Sequence, residues 1–219
     1  MNRQIAATAV IHPNVVFEGD VIVDDFVVIG LPASNHGNEP PKTRVGEGAR
    51  IRSHTVIYAG NQIGKNFSTG HHAMLREDNE VGDDVSIGSY SNVEHHVKIE
   101  NRVRLHTGVF VPEYSILAHD AWLGPRVTLT NARYPKSPGA KDELVGPRVE
   151  CHARIGAACT VLPGVTIGEN SLVGAGSVVV RNVEAGTVVV GNPARVVNRI
   201  ENLPYEEVSK LARGTADED

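Results

Sequence analysis

The chain has 219 residues, 41% of them hydrophobic and only 5% aromatic, and carries a formal net charge of −5. That length fits one domain, or one domain with a small cap, and the negative charge argues against nucleic acid as a general partner. No apolar run approaches the ~18 residues of a membrane span, the opening MNRQIAATAVIHPN is not a secretory signal, and two cysteines make no disulfide scaffold; the expectation is a cytoplasmic protein with no membrane contact.

In chain order, residues 1–30 already show a step of six, with Ile5, Ile11, Phe17, Val23 and Ile29 opening successive hexads. Asn14, Asp20, Asp24 and Asp25 fall between them, where sharp corners favour residues that tolerate turn geometry. Residues 31–44 (LPASNHGNEPPKTR) break the step with three prolines and no periodicity. The step resumes at Val45 and continues through Ile51, Ile57, Ile63, Thr69 and Leu75. From Val81 to Leu129 it is unbroken, reading VGDDVS, IGSYSN, VEHHVK, IENRVR, LHTGVF, VPEYSI, LAHDAW, LGPRVT. The fifth residue of these hexads is small or β-branched, as in Val85, Ser91, Val97, Val103, Val109, Ser115, Ala121 and Val127.

A second interruption, ARYPKSPGAKDELVGPR (132–148), precedes hexads opening at Val149, Ile155, Val161, Ile167, Val173 and Val179. Cys159 takes a fifth, inward position and reads as a small core residue. Past Val179 the repeat fades into RNVEAGTVVVGNPARVVNRI, and LPYEEVSKLARGTADED reads as about two helical turns after Pro204 with an acidic tail. An α-helix at 3.6 residues per turn would smear a six-residue step around its surface, whereas short strands joined at corners keep it. Hexapeptide repeats of this kind indicate a parallel β-helix. The expected layout is all-β: a coil over residues 1–197, with excursion loops at 31–44 and 132–148, then a short helical cap and tail over 198–219. Long loops inside a compact repeat protein are usually functional.

The chain resembles the hexapeptide-repeat acyltransferases, which implies left-handed coiling, a homotrimer and acetyl-CoA or another acyl thioester as donor. The general crossover rule would have favoured the right hand. RIGAACTVLPGVTIGENSLVGAGSVVVRNVEAGTVVVGNPARVV (154–197) looks like the CoA-binding end of that family. WLGPRVTLTNARYP (122–135) looks like the segment before the loop in amino-sugar N-acetyltransferases. Gly156, Ala157, Gly174, Ala175 and Gly176 remove side chains where a cofactor could lie against the backbone, although tight coils use small residues as well. The resemblance implies a turn at Asn192–Pro193 closing over the cofactor, and Arg195 near its phosphates.

A three-sided coil takes three hexads per turn, so positions three hexads apart stack in columns. His54, His72, Tyr90 and Gly108 form one column, with His71 and Ser89 beside it and His106 next to that corner. Glu94, His95 and His96 lie on a second corner with Arg76, Glu77, Pro112, Glu113, Thr130 and Asn131. The second excursion leaves from Asn131, and the first leaves this corner too if the columns stay in step. His95 is therefore the expected base, and the Val93–Glu94–His95 stretch resembles a segment of sialic-acid and bacillosamine-type sugar acetyltransferases whose histidine is the base. His96 stands where that pattern has an acid, which leaves the partner of the base open, although Glu94 is adjacent. The rival base or substrate-binding group is His71, His72 and His106, and Asn131 is a candidate for positioning the acceptor.

The expected activity is acetyl-CoA-dependent N-acetylation of a nucleotide-linked amino sugar, with O-acetylation of a hydroxyl by the same machinery as the alternative. A non-catalytic trimeric scaffold is a further class. A zinc enzyme like the γ-class carbonic anhydrases would need two histidines five residues apart; Arg76 and Glu77 follow His71 and His72 at that distance, and Glu100 and Asn101 follow His95 and His96. No metal is expected.

Overall fold

The computed structural model describes residues 2–34, 36, 37 and 39–205. Nearly every hexad becomes a strand of two or three residues followed by a four-residue corner, and the strands gather into three sheets of 11, 9 and 8 strands. Successive strands of one sheet pair in parallel at a step of three hexads, as in Met74↔Asn92 and Asn92↔Phe110. The result is a left-handed parallel β-helix of about 10 turns.

Within the two-residue strands from Gln62–Ile63 onward the second residue points inward. Leu75, Val93, Val111 and Leu129 are 2% exposed or less, and the fifth-position residues Val85, Ser91, Val97, Val103, Val109, Ser115, Ala121 and Val127 complete the rungs. Ile5, at 38% exposed, and the partly buried Ile11 open the first hexads described, where no described coil stacks below them. Two aromatic rings enter this narrow core among the described residues: Phe17, and Phe67, which is fully buried above the small Ala49 of the preceding coil. Cys159 is buried as expected, and its thiol hydrogen-bonds the Gly174 carbonyl at 3.1 Å.

The third corner residue adopts a left-handed backbone conformation in coil after coil, for example His54 (φ 62°), His72 (φ 55°) and Tyr90 (φ 58°). That conformation disfavours side chains other than Gly, Asn or Asp. Its repetition aims equivalent side chains in one direction, one coil apart. Strands in a sheet lie about 4.7–4.9 Å apart. The rings of Phe26, His54, His72 and Tyr90 stack at centroid distances of 5.0, 4.6 and 5.0 Å, so the column follows the coil pitch.

We call the edge carrying this column, between the first and second sheets, the ladder edge. The edge between the second and third sheets is the loop edge, since both excursions leave there: strand Val28–Leu31 leads out and Thr43–Val45 back, then Thr128–Leu129 and Arg148–Val149. Leu31, Thr43, Arg44 and Arg148, read from sequence as loop, are strand residues. An uninterrupted coil would set Val28 beside Gly46 and Thr128 beside Gly146, but Val28 pairs with Val56 and Thr128 with Thr160. The loops thus add ten and fourteen residues without disturbing the columns.

The coil ends in a hairpin, of which the turn at Asn192–Pro193 was expected and the two antiparallel strands were not. Thr187–Gly191 pairs in parallel with Leu172–Val173, and Ala194–Arg199 then turns back antiparallel. This hairpin shields the last rung from pairing with another chain. A single 3-10 turn follows at Ile200–Asn202, with Ile200 buried. The helix expected after Pro204 falls mostly on residues 206–219, which lie outside the described residues.

Each rung contacts chiefly its neighbours, so a missing side chain opens a cavity that adjoining coils cannot fill. Leu105→Ala should cost about 2–5 kcal/mol, read as a lower urea midpoint with the circular-dichroism spectrum of the folded protein kept.

Candidate active site on the loop edge

His95 is the centre of a column of polar residues. Glu77 lies one coil before it, and Glu113 and Asn131 one and two coils after. His95 Nε2 is 3.6 Å from Glu113 Oε1, and Asn131 Nδ2 donates to Glu113 Oε2 at 2.6 Å. The Asn131 carbonyl accepts the Val145 N–H at 3.0 Å, so the returning arm of the second loop is tied to the same column. A proton on Nε2, facing the carboxylate, leaves the lone pair on Nδ1. Nδ1 is buried with no hydrogen-bond partner among the described residues, as are Asn92 Oδ1 and His106 Nε2. Unsatisfied buried polar atoms are uncommon in folded proteins. Asn14 Oδ1 is a fourth such atom among the described residues, and two of the four lie close together in the chain, at Asn92 and His95.

Glu94 does not orient His95. Its Oε1 accepts from Asn92 Nδ2 at 3.0 Å, and its Oε2 accepts from Arg76 Nη1 at 3.1 Å. Arg76 also forks onto buried Glu77 at 2.8 and 2.9 Å and stacks 5.2 Å from the Tyr58 ring. The acid nearest His95 is therefore Glu113, which sequence reading placed on this corner without singling it out. His96 turns outward, edge-on to His95 at 4.9 Å and stacked on Tyr114 at 5.8 Å.

The first loop returns to this edge through His36. The Ala33 N–H donates to His36 Nδ1 at 3.2 Å, which puts the ring proton on Nε2, 3.4 Å from Asp78 Oδ2. His36 was not a candidate from sequence, because no period connects it to Asp78.

The other histidines sit one edge away. His71 Nδ1 is 2.8 Å from Ser53 Oγ, and the His71 N–H donates to Ser89 Oγ at 3.0 Å. His72 belongs to the ring ladder, and His106 lies against Trp122 at 4.6 Å. Burial holds the His106 imidazole below its ordinary pKa, and Arg104 pushes it the same way. Within one chain the structure does not bring this group onto the His95 corner.

Higher up, the ladder edge carries no ring: after Tyr90 its left-handed positions are Gly108, Arg126, Ala158 and Gly176. Ala158 and Gly176 adjoin Ala157 and Ala175 in the chain, and there the edge is bare. A Cβ at Gly156 would stand 2.6 Å from the Ala175 nitrogen, and one at Gly174 would stand 2.5 Å from Val190 Cγ1. These two glycines are required by the coil above. Exposed Ala175 and Gly176 present open surface instead, and a Cβ at Gly176 would meet nothing within 4 Å. Asn192 and Pro193, joined by a cis peptide, form the hairpin turn, and the Gly191 N–H donates to Ser177 Oγ at 3.1 Å. Arg195 and Arg181 line one depression of about 220 Å³ at the end of the coil. Arg181 was not foreseen.

The architecture and its two decorated edges define a hexapeptide-repeat β-helix. The bacterial transferase hexapeptide family (six repeats) matches residues 146–181. A Schizosaccharomyces pombe protein, provisionally named an acetyltransferase, is 39% identical over 39% of this chain and 44% of its own length. The galactoside O-acetyltransferase of Lactococcus lactis is 34% identical over 38% of this chain and 42% of its own. The chain thus spans less than half the length of these curated relatives. The UDP-N-acetylglucosamine acyltransferase of Bacteroides fragilis shares the fold, with a TM-score of 0.62 at 12% identity over 98% of this chain and 79% of that one. The family model thus matches the last coils of this chain, and the likeness over the rest is one of fold. No helix among the described residues is long and apolar enough to cross a membrane.

Burial raises the Glu77 carboxyl pKa, but the Arg76 hydrogen bond and charge outweigh it and hold the group below its ordinary 4.5. The pair therefore adds stability above that value, which is lost as pH falls through the lower folded pKa. Arg76→Met leaves a buried carboxylate unpaired and should cost about 1–3 kcal/mol at pH 7. Urea titrations at pH 7 and pH 4 should show that deficit shrinking in acid.

Proposed function

We propose that the protein transfers the acetyl group of acetyl-CoA to the amino group of a nucleotide-linked sugar, with His95 as general base. The observation that carries this reading is the buried, unpartnered Nδ1 of His95, backed by Glu113 and flanked by both long loops. His95 Nδ1 takes the proton as the acceptor nitrogen attacks the thioester carbonyl, backbone N–H groups hold the developing oxyanion, and the bond to sulfur breaks to release CoA. An imidazole can both accept and give up a proton, which suits both halves of that transfer. Glu113 positions the ring, Asn131 positions Glu113, and the loops at 31–44 and 132–148 select the acceptor.

The donor lies along the bare part of the ladder edge, beside Ala157, Ala175 and Gly176, with Arg181 and Arg195 toward its phosphates. Donor and base then sit on different edges, which a homotrimer reconciles. The outer face of the second sheet carries Val56, Met74, Asn92, Phe110, Thr128 and Val178, with no charge among them. The first sheet shows Arg50, Arg104 and Arg154, and the third shows Arg44, Glu80, Lys98 and Arg148. If three copies turn their second sheets inward, the ladder edge of one meets the loop edge of the next. O-acetylation is the second reading, favoured by the likeness to the galactoside O-acetyltransferase.

The test is CoA thiol release from acetyl-CoA with nucleotide-linked amino sugars, matched hydroxyl sugars and small amines. Turnover is expected with an amino sugar, falling about 10²–10⁴-fold in His95→Ala while acetyl-CoA binding persists. Glu113→Gln should lower kcat with little change in KM for acetyl-CoA. Undiminished turnover in His95→Ala would move the base to the ladder edge.

A further inference from the structure

The third edge of the prism, between the third and first sheets, carries a separate cluster. His119 and Asp120 end one coil and Cys151 and His152 end the next. One side-chain ligand atom each from His119, Asp120 and His152 falls within 4.8 Å of the others. Cys151 Sγ is 3.2 Å from His119 Nδ1, and His152 Nδ1 is 3.8 Å from Asp120 Oδ2. The two imidazoles meet edge-on at 5.2 Å. Four ligands around a tetrahedral zinc ion, at about 2.0–2.3 Å from it, stand about 3.3–3.6 Å from one another. Two of the separations, at 3.2 and 3.8 Å, are close to the edges of such a tetrahedron, and Cys151 stands outside the three-residue group, beside His119.

We infer that His119, Asp120, Cys151 and His152 form a binding site for a divalent transition metal of the zinc type. Imidazole, carboxylate and thiolate in this mixture suit zinc better than magnesium or calcium, which prefer oxygen alone. Asp120 is already held in place: Arg102 Nε and Nη2 donate to its two oxygens at 2.8 and 2.6 Å. A carboxylate has lone pairs for both partners, so Arg102 orients the ligand as an outer-shell group. His119 Nδ1 also faces Glu100 Oε2 at 3.7 Å. Glu169, Glu100 and Glu150 surround Cys151 with a negative field that favours an arriving cation. An open depression of about 730 Å³, lined in part by His119, Glu100 and Arg102, gives access from solvent. The ion would join the coils on either side of the second excursion, and the site is independent of the acyl-transfer reading.

Full-length protein stripped with a chelator would be titrated with Zn²⁺ against a chromophoric competitor. One equivalent per chain is expected, with affinity reduced by at least about 100-fold in His119→Ala and in His152→Ala, since even outer-shell losses cost 10–100-fold. Cys151→Ser should weaken binding less, and His12→Ala should leave it unchanged. Zinc should raise the melting midpoint of the wild type but not of the histidine variants, with His152→Gln as the size-preserving substitute should the alanine variant misfold. No stoichiometric binding at ~10 µM free Zn²⁺, or equal affinity in the His119→Ala/His152→Ala double variant, would overturn the assignment.

Discussion

Every structural property of this chain depends on the stacking of one coil on the next through parallel backbone hydrogen bonds at a fixed pitch. An interior of single-file aliphatic rungs follows from it, because a prism three short strands wide has room for little else. Side chains three hexads apart also become neighbours, so chemistry is organised in columns. Glu77, His95, Glu113 and Asn131 form one such column, and Phe26, His54, His72 and Tyr90 form another. Neither would be visible as a cluster in a linear reading without the period.

That period made much of the molecule legible. The inward positions, the shared edge of both excursions and the stacking of His54, His72 and Tyr90 all follow from counting hexads and their triples. The candidate site was legible only as far as its residues stay in register. Glu113 stands on the His95 corner by count, but its approach to the imidazole depends on side-chain conformations. The acid beside His95 in sequence, Glu94, is held instead by Arg76 and Asn92.

Where the register is offset, the sequence is opaque. Asp120 and His152 are column neighbours, but the fourteen residues added by the second loop lie between them and hide the relation. Phe26 joins the ladder across the ten added by the first. His36 reaches Asp78 from within a loop that has no period at all. The strands of the terminal hairpin escaped because TVVVGNPARVV is a strand–turn–strand signal of a different kind. Gly156 and Gly174 carried a double meaning: the coil above demands them irrespective of any ligand, so their small size alone says nothing about a cofactor.

The placement of the two excursions has a consequence for how such a molecule diversifies. Each leaves and rejoins the loop edge with the columns intact, and the entropic cost of lengthening a closed loop grows only by about 0.6 kcal/mol per doubling. Length and composition of these segments are therefore nearly uncoupled from the integrity of the coil. The scaffold behaves as a rack into which interchangeable surface segments can be grafted beside a fixed imidazole. Under the reading proposed, a change of acceptor preference requires no change in the β-helix.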